Sequence, residues 1–121
     1  MSEPLLWIKL GLLTEATTKF STYSREIGVY RAMLNGGVVY IGKATELHNG
    51  GFRKRLRDYT RPSSSARNFP AGRMMHHHRT EIEIEIALFA RSSWRTSDIA
   101  DQEAKLISES RPVWNIRNRE M

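Results

Sequence analysis

The sequence predicts an α+β fold, and three observations carry that prediction. A hairpin signal surrounds residue 35, one cleanly alternating strand starts just after residue 80, and two amphipathic helical patterns follow these strands. Along the chain, the first element is the apolar run Leu5 to Leu13, interrupted by Lys9 and Gly11. It is far too short for a membrane span and reads as a core strand or a short helix. Segments 28–34 and 38–42 flank Asn35-Gly36-Gly37. Asn-Gly alone suggests a two-residue type I′ turn, and a three-residue loop with Gly37 in a left-handed conformation competes with it.

Residues 52–60 read as a helix. Phe52, Leu56 and Tyr59 share one face, while Arg53, Lys54, Arg57 and Arg61 lie opposite. Residues 62–73 are rich in Ser, Arg, Pro and Gly and read as a loop, with a short helical turn from Met74 to Arg79. Glu81 to Phe89 alternates, so its isoleucines are expected in a core and its glutamates in solvent. A second helix is capped by Ser97 or Asp98, runs to about Ser110 and is stopped by Pro112.

A chain of 121 residues holds one core. We divide it into an N-terminal extension, 1–24, packed on a domain spanning 25–121. The absence of cysteine excludes disulfides and thiolate metal sites and allows a reducing compartment. No basic region precedes the N-terminal apolar run, so a cytoplasmic protein, not a secreted or membrane one, is expected. Lys and Arg outnumber Asp and Glu by 19 to 13, a net charge of +6. That excess attracts polyanions, although an ordinary basic protein would show it too.

Two charges break the helical patterns. Arg55 sits at the edge of the apolar arc beside Phe52 and Tyr59. Glu103 projects from the arc of Ile99, Leu106 and Ile107. A carboxylate on an apolar face is costly unless a cation or donors meet it. Either the two form a structural ion pair, or they hold a divalent cation and a substrate phosphate.

The ordered motifs then point further. Gly28-Val29-Tyr30 opens the first hairpin strand and Val39-Tyr40-Ile41-Gly42-Lys43-Ala44 closes the second. Arg55 and Tyr59 follow, then Glu103, then Pro112-Val113-Trp114-Asn115. This set, over roughly residues 28–118, resembles the GIY-YIG nucleases. The run Tyr40 to Ala44 resembles that of the nuclease domain of the bacterial excision-repair incision subunit. His48-Asn49-Gly50-Gly51 departs from the pattern by lengthening the approach to the helix. That opens a choice between Arg53 and Arg55, and the helical wheel selects Arg55.

The resemblance implies a small, three-stranded antiparallel sheet flanked by helices, and a Mg²⁺-dependent endodeoxyribonuclease. Mg²⁺ (or Mn²⁺) would be held by Glu103, with Arg55 on the scissile phosphate. Tyr30 and Tyr40 would line the site, Lys43 would tune Tyr40, and Tyr59 and Asn115 would support the site or contact phosphate. For the base that activates water, Tyr40 is favoured for its nearness to Lys43, and Tyr30 is the alternative. DNA is the expected partner, with RNA a second class. Specificity is expected to be low, shape-based, or supplied by a partner protein or a homodimer. Two other readings compete: a catalytically silent nucleic-acid-binding module of the same fold, and a protein-interaction part.

Hairpin register decides whether both tyrosines serve one site. A two-residue loop at 35–36 places Arg31 opposite Tyr40 and sends the two tyrosines to opposite faces. A three-residue loop at 35–37 places Ala32 opposite Tyr40 and puts them on one face. We therefore predict the three-residue loop with Gly37 left-handed. Successive residues cannot all face one ion, so His76-His77-His78 is a poor metal site. Arg67 and Arg73 are candidate phosphate contacts, and Phe69 and Trp94 are candidates for core or base stacking.

Overall fold

Tyr30 and Tyr40 do share a face, but by a different route. The computed structural model describes residues 5–15, 26–45, 51–60, 70–89 and 96–115. Strand β2 (Ile27–Leu34) and strand β3 (Gly37–Ala44) form the hairpin. Asn35 and Gly36 both have positive φ, 53° and 83°, as a two-residue type I′ turn requires, and Leu34 pairs with Gly37. Gly37 is therefore a strand residue, and the predicted three-residue loop is wrong. Two pairs later the register shifts: Met33 opposes Val38, but Ala32 opposes Tyr40. Val39 is the extra residue of a β-bulge. That one-residue slip restores the pairing Ala32↔Tyr40 and Tyr30↔Gly42.

Among the described residues four strands form the sheet, one more than the three expected, in the order β1-β4-β2-β3. The fourth comes from the N-terminal run, where β1 (Ile8–Leu12) pairs antiparallel with β4 (Glu83–Phe89). The remaining elements are a 3₁₀ turn at Leu13–Glu15 and three helices: α1 (Gly51–Thr60), α2 (Pro70–His77) and α3 (Thr96–Ser110). Helix α2 begins at Pro70, inside the segment expected to be loop. Proline at a first helical position costs nothing, because its missing N–H would have no intrahelical partner there. Helix α3 ends where Arg111 turns left-handed (φ 47°) and its N–H reaches the Ile107 carbonyl at 2.7 Å, after which Pro112 forbids continuation.

Helices cover both faces of the sheet. On one, Phe52, Leu56 and Tyr59 of α1 and Ala71 and Met75 of α2 pack on Tyr30, Ala32, Tyr40, Ile84 and Ile86. On the other, Ile99 and Leu106 of α3 pack with Trp7 on Ile27, Val29, Ala87 and Phe89. Burying each large apolar side chain contributes about 1.5–3 kcal/mol, so both layers are needed to hold so thin a sheet.

Glu85 departs from expectation. It is buried, and its neighbour across the β2–β4 ladder is Arg31. Arg31 Nε and Nη2 both donate to Glu85 Oε1 at 2.6 Å, and its guanidinium lies 4.0 Å above the Trp7 ring. Alternation alone could not tell that Trp7 and Arg31 roof this part of the face. Glu81 lies in the turn before β4, while Glu83 is exposed as expected. The expectations on Arg61, Arg67, Phe69, Trp94 and the segment 48–50 fall outside the described residues, as do the side chains of Arg53 and Lys54. Among the described residues, no helix is long and apolar enough to cross a membrane.

Candidate active site

The two motif glycines exist for close approach. A Cβ on Gly28 would lie 2.0 Å from the Ala87 carbonyl oxygen, and its φ of 154° disfavours L side chains. A Cβ on Gly42 would lie 2.4 Å from Cζ and the hydroxyl oxygen of Tyr30. The Tyr30 phenol therefore crosses directly over Gly42, its partner in the ladder. Gly42 is the floor on which the ring rests.

From there Tyr30 reaches α1. Its hydroxyl and that of Tyr59 are 2.7 Å apart, and both residues are buried. Its ring centroid lies 6.2 Å from Tyr40 and 6.3 Å from Tyr59. Tyr40 also acts on Tyr59, so the Tyr59 phenol is the centre of a three-phenol cluster. Burial pushes the acidity constants of all three upward. For Tyr40 the Glu103 carboxylate adds to that rise, while Arg55 opposes it. For Tyr59 the effects of Tyr30, Tyr40 and Arg55 pull against burial. In the protein alone the three phenols are therefore protonated at neutral pH.

Arg55 is half-buried on α1, one turn before Tyr59. It acts on Tyr30, Tyr40, Tyr59 and Glu103, lowering each one's pKa. Its charge is therefore within electrostatic reach of both the phenols and the acid. Glu103 approaches from the other side of the sheet, on α3. Burial raises its pKa above the usual carboxylate value, against the pull of Lys43 and Arg55. Its Oε1 lies 3.8 Å from Lys43 Nζ.

Lys43 alternates with Gly42 along β3 and so points to the α3 face, away from Tyr40. The structure brings it to Glu103, and Tyr40 is influenced by Arg55 and Glu103. Asn115 is buried and spends its carboxamide on the outward edge of β3. It accepts from the Ile41 N–H at 2.8 Å and donates to the Ile41 carbonyl at 2.9 Å. Both groups would otherwise be open on an edge strand. The seven residues singled out in the sequence thus gather around β3, with the phenols and the helix that carries Arg55 on one face, Glu103 and Lys43 on the other, and Asn115 on the edge.

Sequence reasoning missed the His76 contact. His76 Nδ1 lies 2.8 Å from the Tyr59 carbonyl oxygen, and since a carbonyl only accepts, that nitrogen carries a proton. The only hint was a histidine in a helix following the tyrosine helix. The His78 ring stacks on Trp114, 5.4 Å between centroids, and so is core furniture.

No family model and no curated protein matches the chain. Solved structures do. The chain is similar to the GIY-YIG N-terminal endonuclease domain of UvrC from Thermotoga maritima, bound to its catalytic divalent cation, magnesium. The TM-score is 0.57 at 25% identity, covering 83% of this chain and 94% of that one. A tyrosine-to-phenylalanine point mutant of that domain, bound to the catalytic divalent cation, matches with TM-score 0.56 at 26% identity, covering 85% and 97%. An asparagine-to-alanine point mutant, also cation-bound, gives 0.54 at 26% identity, covering 83% and 93%. The α+β fold described above, with its motif glycines and tyrosines, is therefore similar to that of the GIY-YIG nuclease domains.

Proposed function

We propose that the domain is a divalent-metal-dependent endonuclease that hydrolyses DNA phosphodiester bonds. One observation carries this reading: three clustered phenols, an arginine and a half-buried carboxylate converge on one edge strand, in a fold similar to a cation-bound endonuclease domain.

The donor set fits a magnesium or manganese ion. Such an ion keeps several waters and accepts a site with a single protein carboxylate. Glu103 offers that carboxylate, and among the described residues no cluster of three or more His, Cys, Asp or Glu forms a protein cage. Burial makes its negative charge costly, as a cation's arrival would relieve. When bound, the ion would supply Lewis-acid polarisation of the phosphate and help to orient a water.

The chain's own residues supply the rest. Arg55 keeps its charge at every relevant pH, and its planar fork suits two phosphate oxygens. Tyr40, once its own proton has been released to solvent, would act as the phenolate that takes the proton from the attacking water. Its obstacle is burial reinforced by Glu103, so neutralising that carboxylate removes one of the effects that hold the phenol protonated. Tyr30, fixed by its hydroxyl bond to Tyr59, would hold Tyr40 in place through their ring contact. Lys43 would balance Glu103 rather than tune Tyr40 directly, and Asn115 would fix the β3 backbone between Tyr40 and Gly42.

A cleavage assay on supercoiled and branched DNA, with Mg²⁺ or Mn²⁺, tests this. Wild type should cut, and Arg55→Ala should lose on the order of 10²–10³ in rate, by analogy with other oxyanion donors. Glu103→Ala should lose both cutting and metal dependence. Equal trace cleavage by all three proteins would indicate contamination and reject the enzyme, leaving a nucleic-acid-binding module of the same fold.

A further inference from the structure

A basic groove of about 500 Å³ lies on the outer side of α2, lined by Arg73, Met74, His76, His77 and Arg79. Resting on the nuclease reading above, we propose that this groove seats the backbone of a DNA duplex beyond the cut phosphate. Arg73, His76 and His77 are spaced i, i+3 and i+4 and so share one face of the helix. Arg79 joins them from the following turn, tethered by one bond from Nη1 to the His76 carbonyl at 2.8 Å. That bond occupies one of its five donors. Among the described residues that line the groove, none is acidic. Glu81, the acid of the same turn, sits 3.5 Å from His78 Nδ1 instead.

The plain alternative is that basic residues here complement the helix dipole. That accounts for His76 and His77 in the last turn. It does not account for Arg73, in the first half of α2, where a cation gains nothing from the dipole. A groove lined by two arginines and two histidines is what a phosphate backbone needs, and the chain's +6 charge favours the same partner.

The groove is also tied to the site. His76 donates to the Tyr59 carbonyl at 2.8 Å, and the Tyr59 hydroxyl meets that of Tyr30 at 2.7 Å. Arg55 lies one turn back on the same helix, about 6 Å along its axis. A DNA strand advances about 3.4 Å per phosphate, so the stretch from Arg55 to the Tyr59 contact with His76 corresponds to about two phosphates.

The test is fluorescence anisotropy of a labelled 25-base-pair DNA duplex in EDTA, titrated over a range of salt. The double variant Arg73→Gln/Arg79→Gln should raise Kd about tenfold near 0.1 M salt and flatten the slope of log K against log salt by about 1–2. Arg73→Lys/Arg79→Lys should restore most of the affinity. Kd and slope equal to wild type, in a protein that does cut DNA, would overturn the groove while leaving the nuclease standing. A loss shared by the Lys pair and accompanied by a lower Tm would also overturn it, since the role would then be structural. A groove-dependent wild type that never cuts would keep the groove and reject the nuclease, and preference for an RNA duplex would reject DNA as its occupant. A wild type that neither binds nor cuts duplex DNA would reject both.

Discussion

Replacing Gly42 by alanine isolates the packing on which the tyrosine cluster depends. The new Cβ would stand 2.4 Å from Tyr30 Cζ and from its hydroxyl oxygen. Ordinary carbon contacts are about 3.5 Å or more, so the phenol must retreat by about 1 Å. It has nowhere to go, because it is fully buried, with Tyr40, Phe52 and Tyr59 around it. Overpacking of this kind costs about 1–3 kcal/mol. Losing the buried hydroxyl bond to Tyr59 adds about 1 kcal/mol. At about 4 °C per kcal/mol for a domain of this size, Tm should fall by roughly 8–16 °C. A displacement of about 1 Å at the site should lower the cleavage rate on the order of 10²-fold.

Denaturant and thermal melts with a plasmid-nicking assay measure both effects, and two controls sharpen them. Gly36→Ala meets nothing within 4 Å, so it should cost only its left-handed backbone, about 1 kcal/mol, and leave the rate alone. In a Tyr30→Leu background the ring is gone, and Gly42→Ala should become neutral or stabilising. An undiminished penalty in that background, or a wild-type Tm and rate for Gly42→Ala alone, would refute the reasoning.

Two further outcomes follow from the charges. Burial raises the Glu103 pKa, so its ionised form is the one the fold disfavours. Its contribution is intact below the unfolded carboxylate value of 4.5 and is lost as pH rises through the higher folded value. In metal-free buffer Glu103→Gln should therefore melt above wild type at neutral pH, with the gap closing toward pH 4; a pH-independent offset would contradict this. Arg31→Ala strands the buried Glu85 carboxylate and should cost about 2–4 kcal/mol by urea denaturation. Arg31→Met/Glu85→Leu should recover most of that loss, and no recovery would show that the pair itself, rather than its uncompensated charge, carries the stability.

The sequence made Arg55 and Glu103 conspicuous because each sits where a helix should be apolar, and periodicity reads that directly. It also made the hairpin plain, through Asn35-Gly36. It could not show the bulge at Val39, because a bulge is a contest between two strands over register and leaves no residue signature here. The loop was therefore asked to supply a slip that β3 itself supplies. Glu85 failed for a related reason. Alternation along β4 identifies two faces, and only Trp7 and Arg31, distant in sequence, determine that the second is roofed. Lys43 was placed beside Tyr40 by proximity in sequence, yet strand geometry sends it to the other face and to Glu103.

That last point recasts how the site is built. A strand delivers alternate side chains to opposite faces, so an interior strand would bury Tyr40 and Lys43 in separate layers. Among the described residues, strand β3 is the sheet edge, with β2 as its one neighbour. Groups from both faces can therefore act on one another around its open side, as Glu103 does on Tyr40. An open edge also invites another strand to pair. Asn115 closes it by occupying both outward backbone groups of Ile41, the residue between Tyr40 and Gly42. At Ile41, then, the outward backbone is already satisfied, while the side chains on either side stay free of that pairing.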